Sequence, residues 1–153
     1  KGFDDYIAGT FKGTPTADGA FPGMEIIASQ SGNFTRDEGR QVMETLLQAH
    51  PEVTAVYAHN DEMAIGAIAA LEAAGRKPGE DVILVSIDGE NAAMDAIVAG
   101  KLGASVESSP FFGPIAYETM MRYVNGEEIE PWVKVEDRFF DSSNAAEAQG
   151  KQF

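Results

Sequence analysis

The chain has 153 residues, 44% hydrophobic and 24% charged, the composition of a globular protein long enough to bury a core. Its formal net charge is −14, from 25 acidic and 11 basic residues, and an acidic surface repels phosphate backbones, so a nucleic-acid partner is not expected. The absence of cysteine excludes disulfides, thiolate metal sites and a cysteine nucleophile, and no apolar run approaches the ~20 residues that span a bilayer.

Residues 1–9 read as the tail of a helix whose preceding strand is absent, and Lys1-Gly2-Phe3-Asp4-Asp5 lacks the apolar stretch of a signal peptide. Met24-Glu25-Ile26-Ile27-Ala28 is the first predicted strand. Thr35 followed by Glu38 has the pattern of a capping box, and the helix it opens carries Val42, Met43, Leu46 and Leu47 on one face before stopping ahead of Pro51. Residues 53–58 form the second predicted strand. Asn60-Asp61-Glu62 starts a helix, since short polar side chains suit the N-cap and acids suit the positive end of the helix dipole. Ala64, Ala67, Ile68 and Leu71 form its buried stripe, and Gly75 with Pro78 ends it.

Residues 82–87 are the third predicted strand, apolar enough to be covered on both faces, and Asp88-Gly89 is a turn. A helix then starts at Asn91 or a neighbour, buries Ala93, Met94, Ile97 and Val98, and ends at Gly100; Ala104-Ser105-Val106 is a fourth strand. Strands alternating with helices predict an α/β fold, a doubly wound parallel sheet. Residues 110–125 form a further helix with a wide apolar face, carrying Phe111, Phe112, Ile115, Met120, Met121 and Tyr123, which needs a partner to cover it. Residues 127–131 read as a linker, 132–140 as an edge strand, and the polar tail from Ser142 as loosely packed.

In an open parallel sheet ligands bind beyond the carboxyl ends of the strands. Residues 30–34, the group His59, Asn60 and Asp61, and Asp88 fall at such ends and converge on one edge. Asn60 is either a plain N-cap or an amide that bridges two neighbouring hydroxyls. Asp88 is either an ordinary Asp-Gly turn or a charged acceptor for two hydroxyls. Phe34 either staples the following helix or stacks on the C–H face of a sugar. There is no Gly-x-Gly-x-x-Gly or Walker loop and no Gly-x-Ser-x-Gly elbow. The two histidines, His50 and His59, have no motif partner for a triad, and no metal-ligand spacing is recognisable. These features predict a binding protein without metal or cofactor rather than an enzyme.

The segments Ser29-Gln30-Ser31-Gly32-Asn33-Phe34-Thr35-Arg36, Val56 through Ala67 with its Asn60-Asp61-Glu62-Met63-Ala64-Ile65-Gly66-Ala67 block, and Val85-Ser86-Ile87-Asp88-Gly89 resemble the type I periplasmic sugar-binding proteins of ABC transporters. The set is most similar to the galactofuranose and ribose binders, and Ala104-Ser105-Val106-Glu107 with Pro110 continues the pattern. The resemblance implies two lobes joined by three crossovers with a monosaccharide held between them. It implies that Phe34 stacks on the sugar, that Asn60 and Asp88 bond its hydroxyls, and that Glu107, or Ser108 if the alignment slips by one, contributes near the third crossover. It further implies a periplasmic location, ABC permease subunits as partners and no insertion into the membrane. A full member is about twice this length, so the chain is expected to be a C-terminal lobe over residues 1–107. A hinge crossover and helix over 108–136 would belong to a missing N-terminal lobe, with a return and tail over 137–153. The helix 110–125 is then covered by that lobe or by another chain. The same fold implies an alternative, the effector-binding domain of a lac-repressor-like regulator, although such regulators more often carry Phe-Asp-Asp where this chain has Ile87-Asp88-Gly89.

Overall fold

A computed structural model describes residues 24–153; the helix expected over residues 1–9 lies outside them. Residues 24–30 belong to a first unit, Lys1–Gln30, and Ser31–Phe153 form a second. The strand expected over residues 24–28 is absent: these residues are irregular, with Met24, Ile26 and Ile27 exposed. A strand exists only through its ladder, and this apolar run has no ladder partner among the described residues.

The second unit runs α1 (Arg36–Ala49), β1 (Ala55–Tyr57), α2 (Asp61–Ala73), β2 (Ile83–Asp88), α3 (Asn91–Val98), β3 (Ala104–Glu107), α4 (Gly113–Val124), β4 (Phe139–Asp141) and α5 (Ala145–Ala148). The sheet order is β1-β2-β3-β4. β1, β2 and β3 are parallel, as the alternation of strands and helices predicts. β4 is antiparallel to β3, pairing Phe140 with Ser105, so the sheet is mixed and its edge strand is shorter than the expected 132–140.

α1 starts where the capping box places it. Thr35 Oγ1 accepts from the Glu38 amide at 3.3 Å, but Glu38 reaches Asn33 Nδ2 instead of returning to the Thr35 amide, which donates to Gly32 O. α1 lies against α2 at close range because two glycines meet there. A Cβ on Gly66 would stand 2.1 Å from Arg36 O, and one on Gly39 would stand 2.7 Å from Met63 Cα.

Leu71, Val82, Leu84 and Met94 are fully buried, together with Ala64, Ala93 and Ala145. Each large side chain among them contributes about 1.5–3 kcal/mol by leaving water. Val98, expected inside, is exposed. The tail is ordered rather than loose: Ala145 and Ala148 bury against the core from α5, and Gln149 Nε2 donates to Asp95 Oδ1 at 2.8 Å. Small alanine side chains let this single turn pack closely, a signal its polar neighbours hide.

α4 buries none of its residues. Its apolar side, with Phe112, Ile115, Met120 and Tyr123, borders Val133 and Val135 around an open apolar groove of about 620 Å³. Among the described residues no helix is long and apolar enough to cross a membrane.

Candidate functional site

The carboxyl ends of β1, β2 and β3, with the loop ahead of α1, bring the expected residues to one edge of the sheet. Asn60 caps α2, and its Oδ1 accepts from the Met63 amide at 3.1 Å. Its Nδ2 donates to Phe34 O at 2.9 Å, which ties the aromatic loop to the end of β1. One N–H and one lone pair of the Asn60 amide remain for a ligand hydroxyl. Capping and ligand binding, posed by the sequence as alternatives, are compatible.

Phe34 has 76% of its surface exposed, so it does not staple α1 and its ring is open to a ligand face. Its φ is 54° and that of Asn33 is 45°, both in the left-handed region that disfavours a Cβ. The loop is held there by the Asn60 bond, by Thr35 N donating to Gly32 O at 3.1 Å, and by Asn33 Nδ2 donating to Glu38 Oε2 at 2.5 Å.

Asp88 ends β2 and pairs in register with Glu107 of β3. Its φ of 129° is rare for any L side chain, and its carbonyl accepts from Ser108 N at 3.0 Å. Burial, and then the negative charge of Asp61, push its carboxyl above the usual range. The neighbouring Glu90 is pushed up to about 7, first by burial, then by the charges of Glu62, Asp61 and Asp88, and by its hydrogen bond to Glu62. Glu62 itself is gripped by Arg36, whose Nε and Nη2 donate to it at 3.0 and 2.5 Å.

Glu107 lies beside Asp88 in register, but its carboxylate is turned to a different partner. Arg138 Nε donates to Oε2 at 2.7 Å, Arg138 Nη2 donates to Oε1, and the Arg138 amide donates to Oε2 at 3.0 Å. The Arg138 hydrogen bonds hold the Glu107 carboxyl below its ordinary range against the opposing effect of burial. The next residue, Ser108, lies just past β3 and is exposed. His59 is exposed at the rim, its ring 4.7 Å from that of Tyr57.

Sequence reasoning placed Asp61 at the end of the second strand but gave it no role, and it did not single out Ser86, Ser105 or Arg138. Asp61 is completely buried and receives Ser86 Oγ, Ser105 Oγ at 2.8 Å, Gly89 N at 2.7 Å and Glu90 N at 2.8 Å. The signal that would have found this cluster is a serine at an inward position of each of two apolar strands, since a buried hydroxyl requires a partner.

The model of the periplasmic binding protein domain matches residues 1–128. The galactofuranose-binding protein YtfQ of Escherichia coli is 44% identical over 105 residues, 67% of this chain and 33% of its own length. The fructose import binding protein FruE of Bifidobacterium longum is 32% identical over 139 residues, 90% of this chain and 42% of its own. Among solved structures, a galactofuranose binding protein superposes with a TM-score of 0.79 at 38% identity, covering 84% of this chain and 45% of that one. The chain therefore spans between a third and a half of the length of these relatives. With a matched segment that takes in the loop of Phe34, the cap at Asn60 and the turn at Asp88, the chain belongs to the periplasmic binding protein domain family.

Proposed function

We propose that this chain supplies one lobe of a periplasmic protein that captures a monosaccharide, a galactofuranose-like hexose or a pentose, for import by an ABC transporter. The observation that carries the reading is the meeting of an exposed aromatic ring, an amide with free hydrogen-bonding capacity and a carboxylate at the carboxyl edge of a parallel sheet. Phe34 offers apolar contact to the C–H face of the sugar, and Asn60 and Asp88 fix its hydroxyls. The relatives named for binding galactofuranose, ribose and fructose support a furanose or pentose over other small molecules. They also favour transport over the regulator alternative. No step of chemistry is required of the protein: capture and domain closure present the lobes to permease subunits.

In this reading residues 1–107 form the lobe, residues 108–136 cross to a second lobe, and residues 137–153 return. The unburied side of α4 is the face the second lobe covers. Glu107, with both oxygens held by Arg138, stands near the crossover as a further contact to the sugar, with the exposed Ser108 as the alternative.

The test is calorimetric titration of galactose, arabinose and ribose into the full-length gene product, repeated with Asp88→Ala. Saturable binding at micromolar strength or tighter, about −8 kcal/mol or better, that disappears in the variant supports the assignment. Absence of binding to every sugar by a folded wild-type protein refutes it.

A further inference from the structure

We propose that Asp61 is a positioning residue for ligand binding, its buried carboxylate locking the Asp88 turn in the one conformation that offers Asp88 to a sugar. This rests on the sugar-binding reading above. Asp61 is the first residue of α2, directly after Asn60, and none of its surface is exposed. Burying a carboxylate without a cation is costly, and it persists only when all its lone pairs are engaged. Here four donors from three parts of the fold do this. Ser86 of β2 and Ser105 of β3 take Oδ1, and the amides of Gly89 and Glu90 take Oδ2.

The division between the two oxygens carries the argument. The hydroxyl bonds join strands that the ladder already joins. The two amide bonds do something the ladder does not. They seize the residues that follow Asp88, whose own φ of 129° is held only by its surroundings. The turn is also tight: a Cβ on Gly89 would lie 3.1 Å from the Phe140 ring and 3.3 Å from Glu107 Cα. Gly89 N shares its hydrogen with Ser105 Oγ at 3.1 Å, and Ser108 N closes on Asp88 O. The Asp61 carboxylate is the hub that connects the Asn60 cap to the Asp88 turn, so the two polar ligand-facing groups are set by one buried anchor.

The experiment compares Asp61→Asn with Ser86→Ala in the full-length gene product, reading sugar affinity and thermal stability for each. Asparagine keeps the volume but weakens the two turn bonds, because a charged acceptor is about twice as strong as a neutral one. Asp61→Asn is expected to weaken binding by about tenfold or more. Ser86→Ala removes one bond from the same carboxylate without touching the turn, so it lowers the melting temperature and leaves affinity within about twofold. Binding by Asp61→Asn within twofold of wild type, or equal affinity losses in the two variants, overturns the proposal. If Asp61→Asn does not fold, amide hydrogen exchange in the sugar-free wild type decides. Gly89 and Glu90 amides protected like the β2–β3 ladder sustain the anchor, and exchange at open-loop rates overturns it. A wild type that binds no sugar defeats the functional reading, while the exchange of these two amides still judges the anchor.

Discussion

Replacing Arg138 by methionine separates a structural role for Glu107 from a ligand-binding one. Glu107 is 5% exposed and Arg138 supplies three of its hydrogen bonds, one of them from the backbone, which the substitution keeps. Two charge-assisted bonds to Glu107 are lost, each worth about 1.5–3 kcal/mol where water is excluded, together with an exposed bond from Nη2 to Gln152 Oε1 that water replaces. The Arg138 side chain is 57% exposed, so water partly replaces it, and the expected loss is about 2 kcal/mol in total. For a domain of this size that corresponds to a fall in melting temperature of roughly 4–10 °C.

The pH dependence sharpens the test. Arg138 depresses the Glu107 carboxyl below its ordinary value of 4.5, so its stabilisation is complete above that value and disappears as pH falls through the lower folded value. The gap between wild type and Arg138→Met, measured by urea unfolding, is therefore full near about pH 7 and shrinks towards about pH 3.5. A gap of equal size at both pH values refutes the reasoning. So does an unchanged midpoint accompanied by lost sugar affinity, which returns Glu107 to the ligand.

Three further outcomes are expected. Gly66→Ala drives a methyl into Arg36 O, so it costs about 1–3 kcal/mol by forcing α1 from α2; a variant with wild-type stability in a denaturant titration contradicts the close approach. Glu90 has its carboxyl raised from 4.5 to about 7, so its contribution is complete below 4.5 and is lost as pH rises through about 7. Glu90→Gln therefore raises the melting temperature relative to wild type near about pH 8 but not near about pH 4, and a pH-independent difference in scanning calorimetry denies that titration. Met120 is half exposed on α4, so Met120→Asp in this chain alone leaves the thermal midpoint nearly unchanged, whereas in the full-length gene product it lowers it. Equal effects in the two proteins contradict a covered α4.

The helices α1 and α2 were legible because local chemistry specifies them: a hydroxyl at Thr35, an amide at Asn60, and apolar residues three and four apart. The parallel run of β1, β2 and β3 followed from the alternation of elements. Residues 24–28 carry an equally apolar signal, but a strand requires a neighbour and sequence pattern does not supply one. Asn60 and Asp88 stand where the sequence put them, at the ends of β1 and β2, whereas Phe34 follows a predicted strand that does not form and is brought to the same edge by its bond to Asn60. Asp61 was placed there too, but its buried role was not legible, since it depends on Ser86 and Ser105, 25 and 44 residues away. Glu107 was named only through the family resemblance; its partner Arg138 lies 31 residues on, and only folding brings the two together.

The left-handed backbone at Phe34 has a consequence for laboratory evolution. An exposed ring contributes little packing, while its Cβ in that conformation opposes folding by roughly 1–2 kcal/mol. Selection for heat tolerance alone therefore drifts towards glycine at position 34, the residue that relaxes the loop and discards the exposed ring. Libraries screened by residual solubility after heating become enriched in well-behaved proteins that lack this ring, unless each round also demands the binding proposed for it.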